Sequence, residues 1–532
     1  MLRRRRLLLF SLIALAGIVP ASPAAAKTVP GSPPFRVIIL DHMAGWQLRQ
    51  FARHGAVGLL VPGTGPTTNR RQALAQLVRG VRQVSYLGGV PTGPRLLTAT
   101  AATGTPSRPR TIIVTLPPKG APVQNDKRYY VVVLGGGFHG LLVSKTTRIP
   151  GLVSIVDIAP TALGHQRGSL MAVPAAHAIA SLKTLNAQIH ANNRLKLAAL
   201  IVLACFALLL AAVRPRAALT AVPAALLASV ALGGLHVTNE VAILAVLIVA
   251  TVAGGLWLAH VCKTDGRLLL LFLAVIGIYL YLLAKRPDWV ALTPLGPTQN
   301  SRFWGIGNQL ETLLLAPLLA GAAIAARRFG ALGFAAFGVL GLFMMTDNRF
   351  GSDGGGAIVL AIALAFLGAR MLRLGTRGFL VLLGAAAAVV LKVVSSNLAA
   401  TGPDHFRSAF GDGFSGLWAV AENRVPLSYL PAIHNWPLVM PLGLWFLVTF
   451  AIALAVARRR PTRDFVLTLG VAIVTSLLVN DSAMYELTGG VSVLAAFARF
   501  APAPAVPFSV LAFVRSLLPA QPVPAPVEVA DD

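Results

Sequence analysis

The sequence predicts an α-helical polytopic membrane domain of about eleven spans, preceded by a signal peptide and a small α/β domain. Of the 532 residues, 56% are hydrophobic and only 12% are charged, whereas a soluble domain carries roughly a quarter charged residues. Apolar runs of roughly 17–24 residues recur from residue 195 onward, and such runs are long enough to cross a bilayer. Residues 27–193 contain no comparable run. The chain therefore divides into an exported domain and a membrane domain.

The N-terminus has the pattern of a secretory signal peptide. Four arginines at 3–6 precede an apolar core at 7–19, and an Ala-Ala-Ala segment at 24–26 offers a cleavage site. An uncleaved anchor helix is the alternative. Both interpretations export the chain from residue 27 onward.

Short β-type segments alternate with helical stretches over 27–193, which predicts an α/β sheet. The strands are expected at 36–40, 111–115 and 129–134, and one helix at 72–82. The multispan domain follows over 194–518. The tail, 519–532, is proline-rich with acidic residues at its end, a composition typical of disorder.

The positive charges between the apolar runs predict the orientation of the membrane domain. Spans are expected at 195–213, 217–235, 241–260, 268–284, 308–326, 330–346, 355–369, 378–395, 437–457, 465–480 and 489–515. Alternate junctions carry Arg214 and Arg216; Lys263 and Arg267; Arg327 and Arg328; Arg370, Arg373 and Arg377; and Arg458, Arg459, Arg460 and Arg463. Short loops rich in Lys and Arg face the cytoplasm. The prediction is a multi-pass protein of the bacterial cytoplasmic membrane with an extracytoplasmic α/β domain and a cytoplasmic C-terminus.

Several segments of the α/β domain resemble the alkaline-phosphatase superfamily. Residues 146–161 read TTRIPGLVSIVDIAPT, similar to a segment near the end of those domains. The run 36–41 resembles the first strand and its metal-binding Asp, and QFARHGAVG at 50–58 resembles the next helix and turn. The resemblance covers roughly 36–165. It implies a truncated phosphatase-like fold, with a remnant site formed by Asp41, Thr67 or Thr68 as nucleophile, and His139.

The resemblance departs from the family where metals would bind. Family members use two metal ions held by several Asp and His ligands, but the only acids between 27 and 193 are Asp41, Asp126 and Asp157. Asp157 matches a structural Asp of the family segment. A degenerate, non-catalytic domain is therefore expected, and a one-metal site or an unrelated α/β domain are the alternatives. The cofactor stays unknown: a divalent metal is a candidate, but the carboxylate count of this domain does not support it.

Four polar clusters fall in the loops predicted to face outward, near 300–311, 346–356, 396–436 and 480–486. Charges at membrane depth cost several kcal/mol unless paired or hydrated, so Glu311, Asp347, Lys392 and Asp481 are expected to share a polar cavity open to the outside. Interfacial loops satisfied by water are the alternative. The candidate catalytic residues are Asp347, Asp353, Asp481 and Glu311. The candidate substrate-binding residues are Arg302, Asn308, Arg349, Arg407 and Lys392.

The segments RFWGIGN at 302–308, GGG at 354–356 and NDS at 480–482 resemble the membrane region of uncharacterised bacterial proteins that carry a phosphatase-like ectodomain. Phosphoethanolamine transferases are a more distant analogy. Neither resemblance transfers an activity. Three functions stay open: an envelope enzyme acting on a lipid-linked phosphate or glycan, a transporter or lipid flippase, and a non-enzymatic scaffold.

The formal charge of +28 predicts an anionic partner. Because an exported domain rarely meets nucleic acid, membrane lipid or a lipid-linked anionic envelope substrate is the expected counterpart. Envelope proteins are further candidate partners.

Overall fold

The computed structural model describes residues 35–63, 67–79, 97–98, 110–162, 170–297, 299, 303–351, 353–399, 433, 435–480 and 482–500. The predicted signal peptide and the C-terminal tail lie outside these residues. Within them, an N-terminal α/β region is followed by a bundle of long apolar helices, in agreement with the predicted fold class.

The N-terminal region contains a mixed sheet flanked by short helices. Its strands are β1 (Arg36–Leu40), β2 (Gly55–Val61), β3 (Thr67–Thr68), β4 (Leu97–Thr98), β5 (Thr111–Thr115), β6 (Val123–Gln124), β7 (Tyr129–Leu134), β8 (Gly140–Ser144), β9 (Leu152–Ser154) and β10 (Leu170–Val173). Its helices are α1 (Gly45–His54), α2 (Arg70–Arg79) and α3 (Ile158–Ala162). The strand order is β10-β8-β2-β7-β5-β1-β4, with β9 also paired to β2 and β3 paired to β6 in a separate ribbon.

Both faces of this sheet are buried, which explains why its strands read as continuous apolar runs. In β5, Ile112 and Val114 point to one core while Ile113 points to the other. The first core packs against α2 and α3. The second packs against α1 and against the beginning of the long helix Ala178–Val213 that follows the sheet. The predicted strands at 36–40, 111–115 and 129–134 are confirmed.

The membrane helices are α4 (Ala178–Val213), α5 (Pro215–Gly234), α6 (Glu240–Val261, with a π turn over Ala250–Gly254), α7 (Asp265–Lys285), the short α8 (Pro287–Ala291), α9 (Asn308–Thr346), α10 (Gly354–Met371), α11 (Thr376–Ala399), α12 (Trp436–Val456), α13 (Arg460–Val479) and α14 (Ala483–Phe497). Among the described residues, nine of these helices are long and apolar enough to cross a membrane. The chain is thus a multi-pass membrane protein.

Helix α9 is a helical hairpin that contains two of the predicted spans. Gly330 has φ 67° and ψ −157°, which no helix interior adopts, and it follows Arg327 and Arg328. Beyond it, Phe337 packs back against Gly321. The two halves therefore run in opposite directions, as the separate predictions at 308–326 and 330–346 require.

Helix α4 joins the two regions without a break at the predicted boundary of 193. Its 36 residues extend about 54 Å at 1.5 Å per residue, more than the roughly 30 Å of a hydrocarbon core. The surplus belongs to the α/β region, because Leu182, Leu185 and Ile189 lie in the core of that region. The α/β region is therefore fixed to the bundle by a continuous helix.

Candidate functional site

The residues of the predicted remnant site in the α/β region lie at opposite ends of the strands of the sheet. Asp41 follows the carboxyl end of β1, and Thr67 and Thr68 follow the carboxyl end of β2, which lies at the same edge. His139 follows β7, whose last residue pairs with the first residues of β2 and β5. The sheet thus separates His139 from Asp41 by the length of a strand.

The side chains at the first edge are engaged in structural contacts. Asp41 accepts a hydrogen bond from Arg70 and forms an ion pair with it. Thr67 is exposed, whereas Thr68 is buried against Gly63. Among the described residues, no group of three His, Cys, Asp or Glu is arranged to hold a metal ion. The edge therefore holds an ion pair at the position where the resemblance implies a metal ligand.

Asp157 is the buried carboxylate that organises the TTRIPG segment. Its oxygens accept hydrogen bonds from Ser144, from the hydroxyl of Thr146 at 2.9 Å and from the backbone N–H of Thr146 at 3.3 Å. These bonds fix the turn that presents Arg148 to the membrane helices.

The α/β region and the membrane helices meet at an aromatic joint. Phe303 and Trp304, from the loop before α9, are buried in the core of the α/β region. The guanidinium of Arg148 lies 3.4 Å from the centroid of the Trp304 ring. The Nη2 of Arg148 also donates to the carbonyl of Asn348 at 3.2 Å. One arginine thus contacts both loops that lead into α9 and α10.

A second arginine ties the α/β region to the same loop. Arg128 Nη2 donates to the carbonyl of Gln299 at 2.6 Å. Burial lowers the pKa of Arg128 to about 10, and the charge of Asp126 partly opposes this change. The guanidinium stays cationic at neutral pH, so the contact is charge-assisted throughout the physiological range.

Polar side chains along one face of α4 donate hydrogen bonds to the loop between α8 and α9, which also contains Gln299. Gln188 and Asn192 donate to the carbonyl of Leu292 at 3.1 Å and 2.8 Å. Lys196 is buried, and its Nζ donates to the carbonyls of Gly296 at 2.6 Å and Pro297 at 3.1 Å. The spacing of four residues places all three on one helix face. The loop is thereby held between α4 and the α/β region.

A buried carboxylate cluster lies where α9, α10 and α13 meet. Glu311 is completely buried, and its Oε2 accepts a hydrogen bond from Asn480 Nδ2 at 3.0 Å. The Oε2 of Glu311 and the Oδ2 of Asp353 both lie within 3.1 Å of the point that a Cβ on Gly356 would occupy. Glycine at 356 is therefore what allows the two carboxylates to approach α10.

Two helix N-termini, those of α9 and α10, meet at this carboxylate cluster, and α14 packs against α9 beside it. Glu311 is in the first turn of α9, Asp353 is the N-cap of α10, and the fully buried Glu486 is in the first turn of α14. Gly489, the seventh residue of α14, packs against Thr312 of α9, which follows Glu311 in the chain. The positive ends of the helix dipoles favour negative charge at these positions.

The loops before α9 and α10 are also in direct contact. Gly305 has φ 86°, and a Cβ there would lie 2.6 Å from the carbonyl oxygen of Gly351. Only glycine combines this backbone conformation with so close an approach. The sequence clusters near 300–311, 346–356 and 480–486 therefore converge, directly below the joint with the α/β region.

The predicted cavity differs from this arrangement in two respects. Glu311 is closed to solvent, whereas the sequence predicts that it lies in a cavity open to the outside. Lys392 is exposed on α11 and, among the described residues, pairs with none of the carboxylates. Only 6% of the apolar core of this helix is buried, so Lys392 lies outside the cluster.

Asp347 and Arg349 pair with each other inside one turn. Arg349 Nε and Nη2 contact Asp347 Oδ1 and Oδ2 at 2.9 Å and 3.0 Å, and the backbone N–H of Arg349 donates to Oδ1 at 2.8 Å. The hydrogen bond to Asp347 raises the pKa of Arg349. The candidate base and the candidate phosphate ligand thus neutralise each other and shape the loop before α10.

Asn308, the remaining described candidate, is the first residue of α9 and is half-buried beside the cluster. Arg302, Arg407 and Asp481 lie outside the described residues, as does most of the 396–436 loop. Asn480, Glu486 and Lys196 are not among the site residues predicted from the sequence. A lysine within an apolar run was a signal that could have identified Lys196.

No protein-family model, curated protein or solved structure matches this chain.

Proposed function

We propose that this protein acts on a lipid-linked phosphate or glycan at the outer face of a bacterial cytoplasmic membrane. The observation that carries the proposal is the meeting of Glu311, Asp353 and Asn480 at converging helix N-termini below the α/β region. The α/β region then serves as a non-catalytic cap, because its own candidate residues are split between two edges of a sheet.

The arrangement suits general acid–base catalysis. In its protonated form Glu311 carries one proton that it can release, and Asp353 lies beside it as a second carboxyl group. Glu311 would donate that proton to the leaving oxygen of the substrate, and Asp353 would receive a proton from the attacking group. Asn480, bound to Glu311 and to Ser476 at 2.9 Å, would orient the acid.

The transport of such a lipid is the second candidate function. Lys196 and Glu311 are charged residue types buried within helices that are long and apolar enough to cross a membrane. Buried ionisable residues of this kind often mark the pathway of a substrate or a proton.

Reconstitution of the full chain into proteoliposomes separates these functions. The vesicles would contain lipid-linked phosphates and glycans extracted from a bacterial envelope. Mass spectrometry would report chemical conversion, and a membrane-impermeant reagent would report movement of the headgroup between leaflets. We expect conversion. Movement without conversion would favour the transporter, and the absence of both with a correctly folded protein would favour a scaffold.

A further inference from the structure

Four arginines line a cavity at the opposite end of the bundle from the carboxylate cluster. The cavity has a volume of about 380 Å³ and is lined by Arg370, Arg458, Arg460, Arg463 and Leu467. Arg370 ends α10, whereas the other residues lie at the junction of α12 and α13. We call this cavity the arginine pocket.

A single buried carboxylate positions part of the arginine pocket without neutralising it. Arg370 contacts Asp464 Oδ1 through Nε at 2.8 Å and through Nη2 at 2.7 Å, and Arg460 approaches Oδ2 at 3.9 Å. In the described part of the chain, Arg458 and Arg463 form no ion pair with a carboxylate. Four guanidinium groups and one carboxylate leave a net charge of +3.

The arginine pocket continues into an apolar stripe along α13. Arg460, Arg463, Leu467, Val471, Val474 and Leu478 are spaced by three or four residues and so share one face of the helix. Val474 and Leu478 are 57% and 63% exposed. This face of α13 thus has arginines at its beginning and exposed apolar side chains further along, and the apolar side chains would lie against the hydrocarbon of a bilayer.

A second basic cavity at this end is more nearly balanced. Its lining contains Lys263, Arg327 and Arg328 together with Asp265, which pairs with Arg327, so the lining carries a net charge of +2. The arginine pocket therefore offers the stronger attraction for an anion.

We propose that the arginine pocket is a binding site for an anionic phospholipid. The headgroup phosphate lies between Arg458 and Arg463, with Arg370 and Arg460 held in place by Asp464. One acyl chain lies along the stripe from Leu467 to Leu478. Arginine suits this role because its planar guanidinium binds two phosphate oxygens at once and stays protonated. Binding is therefore independent of pH across the neutral range, and it is separate from the carboxylate cluster at the other end of the bundle.

The test uses the full chain in nanodiscs of phosphatidylcholine that contain a minor fraction of phosphatidylglycerol. Native mass spectrometry after release into detergent counts the phosphatidylglycerol molecules that stay bound. We expect the wild type to retain this lipid selectively. The double variant Arg458→Gln/Arg463→Gln should bind it about thirty-fold more weakly, from the loss of two arginines at an anionic headgroup. The fold should persist, because neither arginine pairs with Asp464.

The matched control is Arg373→Gln/Arg377→Gln. Arg373 is exposed in the turn after α10, and Arg377 is exposed in the first turn of α11. Their substitution removes the same charge outside the pocket. Equal losses in the two double variants would indicate diffuse attraction and overturn the proposal. So would displacement of the lipid by an equal concentration of inorganic phosphate or pyrophosphate, since the pocket would then be a site for free phosphate. A wild type that retains no phosphatidylglycerol would also overturn it.

Discussion

Glu311→Gln is expected to lower the rate of substrate conversion by about 10²- to 10⁴-fold, the usual contribution of a general acid. The amide keeps the size of the carboxyl group, and its oxygen can still accept the hydrogen bond from Asn480. It cannot release a proton. The chemistry should therefore be lost while the packing between α9 and α13 is kept.

The measurement is conversion of the lipid-linked substrates in proteoliposomes, together with the thermal unfolding midpoint of each protein in detergent. Glu240→Gln is a matched control, since Glu240 begins α6 with a partly exposed side chain that pairs with Arg194. Conversion at the wild-type rate by Glu311→Gln would refute the acid role. An equal decrease in both variants would point to a general effect of charge.

Trp304→Ala is expected to destabilise the contact between the α/β region and the membrane helices by about 3–5 kcal/mol, as for other large buried aromatic residues. Trp304 is only 4% exposed and shares a core with α1, β2 and α4. The substitution would remove this packing and also the ring beneath Arg148, a cation–π contact worth up to about 2 kcal/mol when shielded from water.

Hydrogen exchange measured by mass spectrometry would show this loss as faster exchange of amides in α1 and β2, by about a hundredfold to several thousandfold. Trp46→Ala provides the control, because Trp46 lies on α1 of the same region but is 61% exposed. Unchanged exchange in Trp304→Ala would show that the joint does not hold the two regions together. Faster exchange in both variants would show that tryptophan loss acts locally within α1.

The sequence predicted most of the long apolar helices and the main strands of the sheet, whereas the last predicted span, 489–515, coincides among the described residues only with the 15-residue α14. A segment that crosses a bilayer must be long and apolar wherever it packs, so composition alone predicts it. Composition likewise predicts the buried strands, because nearly every residue of a strand in a sheet covered on both faces is apolar. The hairpin at Gly330 was likewise visible as two apolar runs separated by Arg327 and Arg328.

Only the tertiary structure decided which polar residues meet. Glu311 and Asn480 are 169 positions apart, so no local pattern joins them. His139 lies away from Asp41 because β7 runs antiparallel to β5, a direction that strand patterns do not reveal.

Tertiary packing also explains why Lys392, predicted as a site residue, lies outside the carboxylate cluster. Lys392 lies near the end of an apolar run as Glu311 does, yet its helix faces outward and leaves it exposed, while α9 turns Glu311 inward. A sequence gives the spacing of residues on a helix, but the rotation of that helix is set by packing against its neighbours. The composition of the polar clusters near 300–311, 346–356 and 480–486 could thus be predicted from the sequence, whereas their convergence near Glu311 depended on how the helices pack.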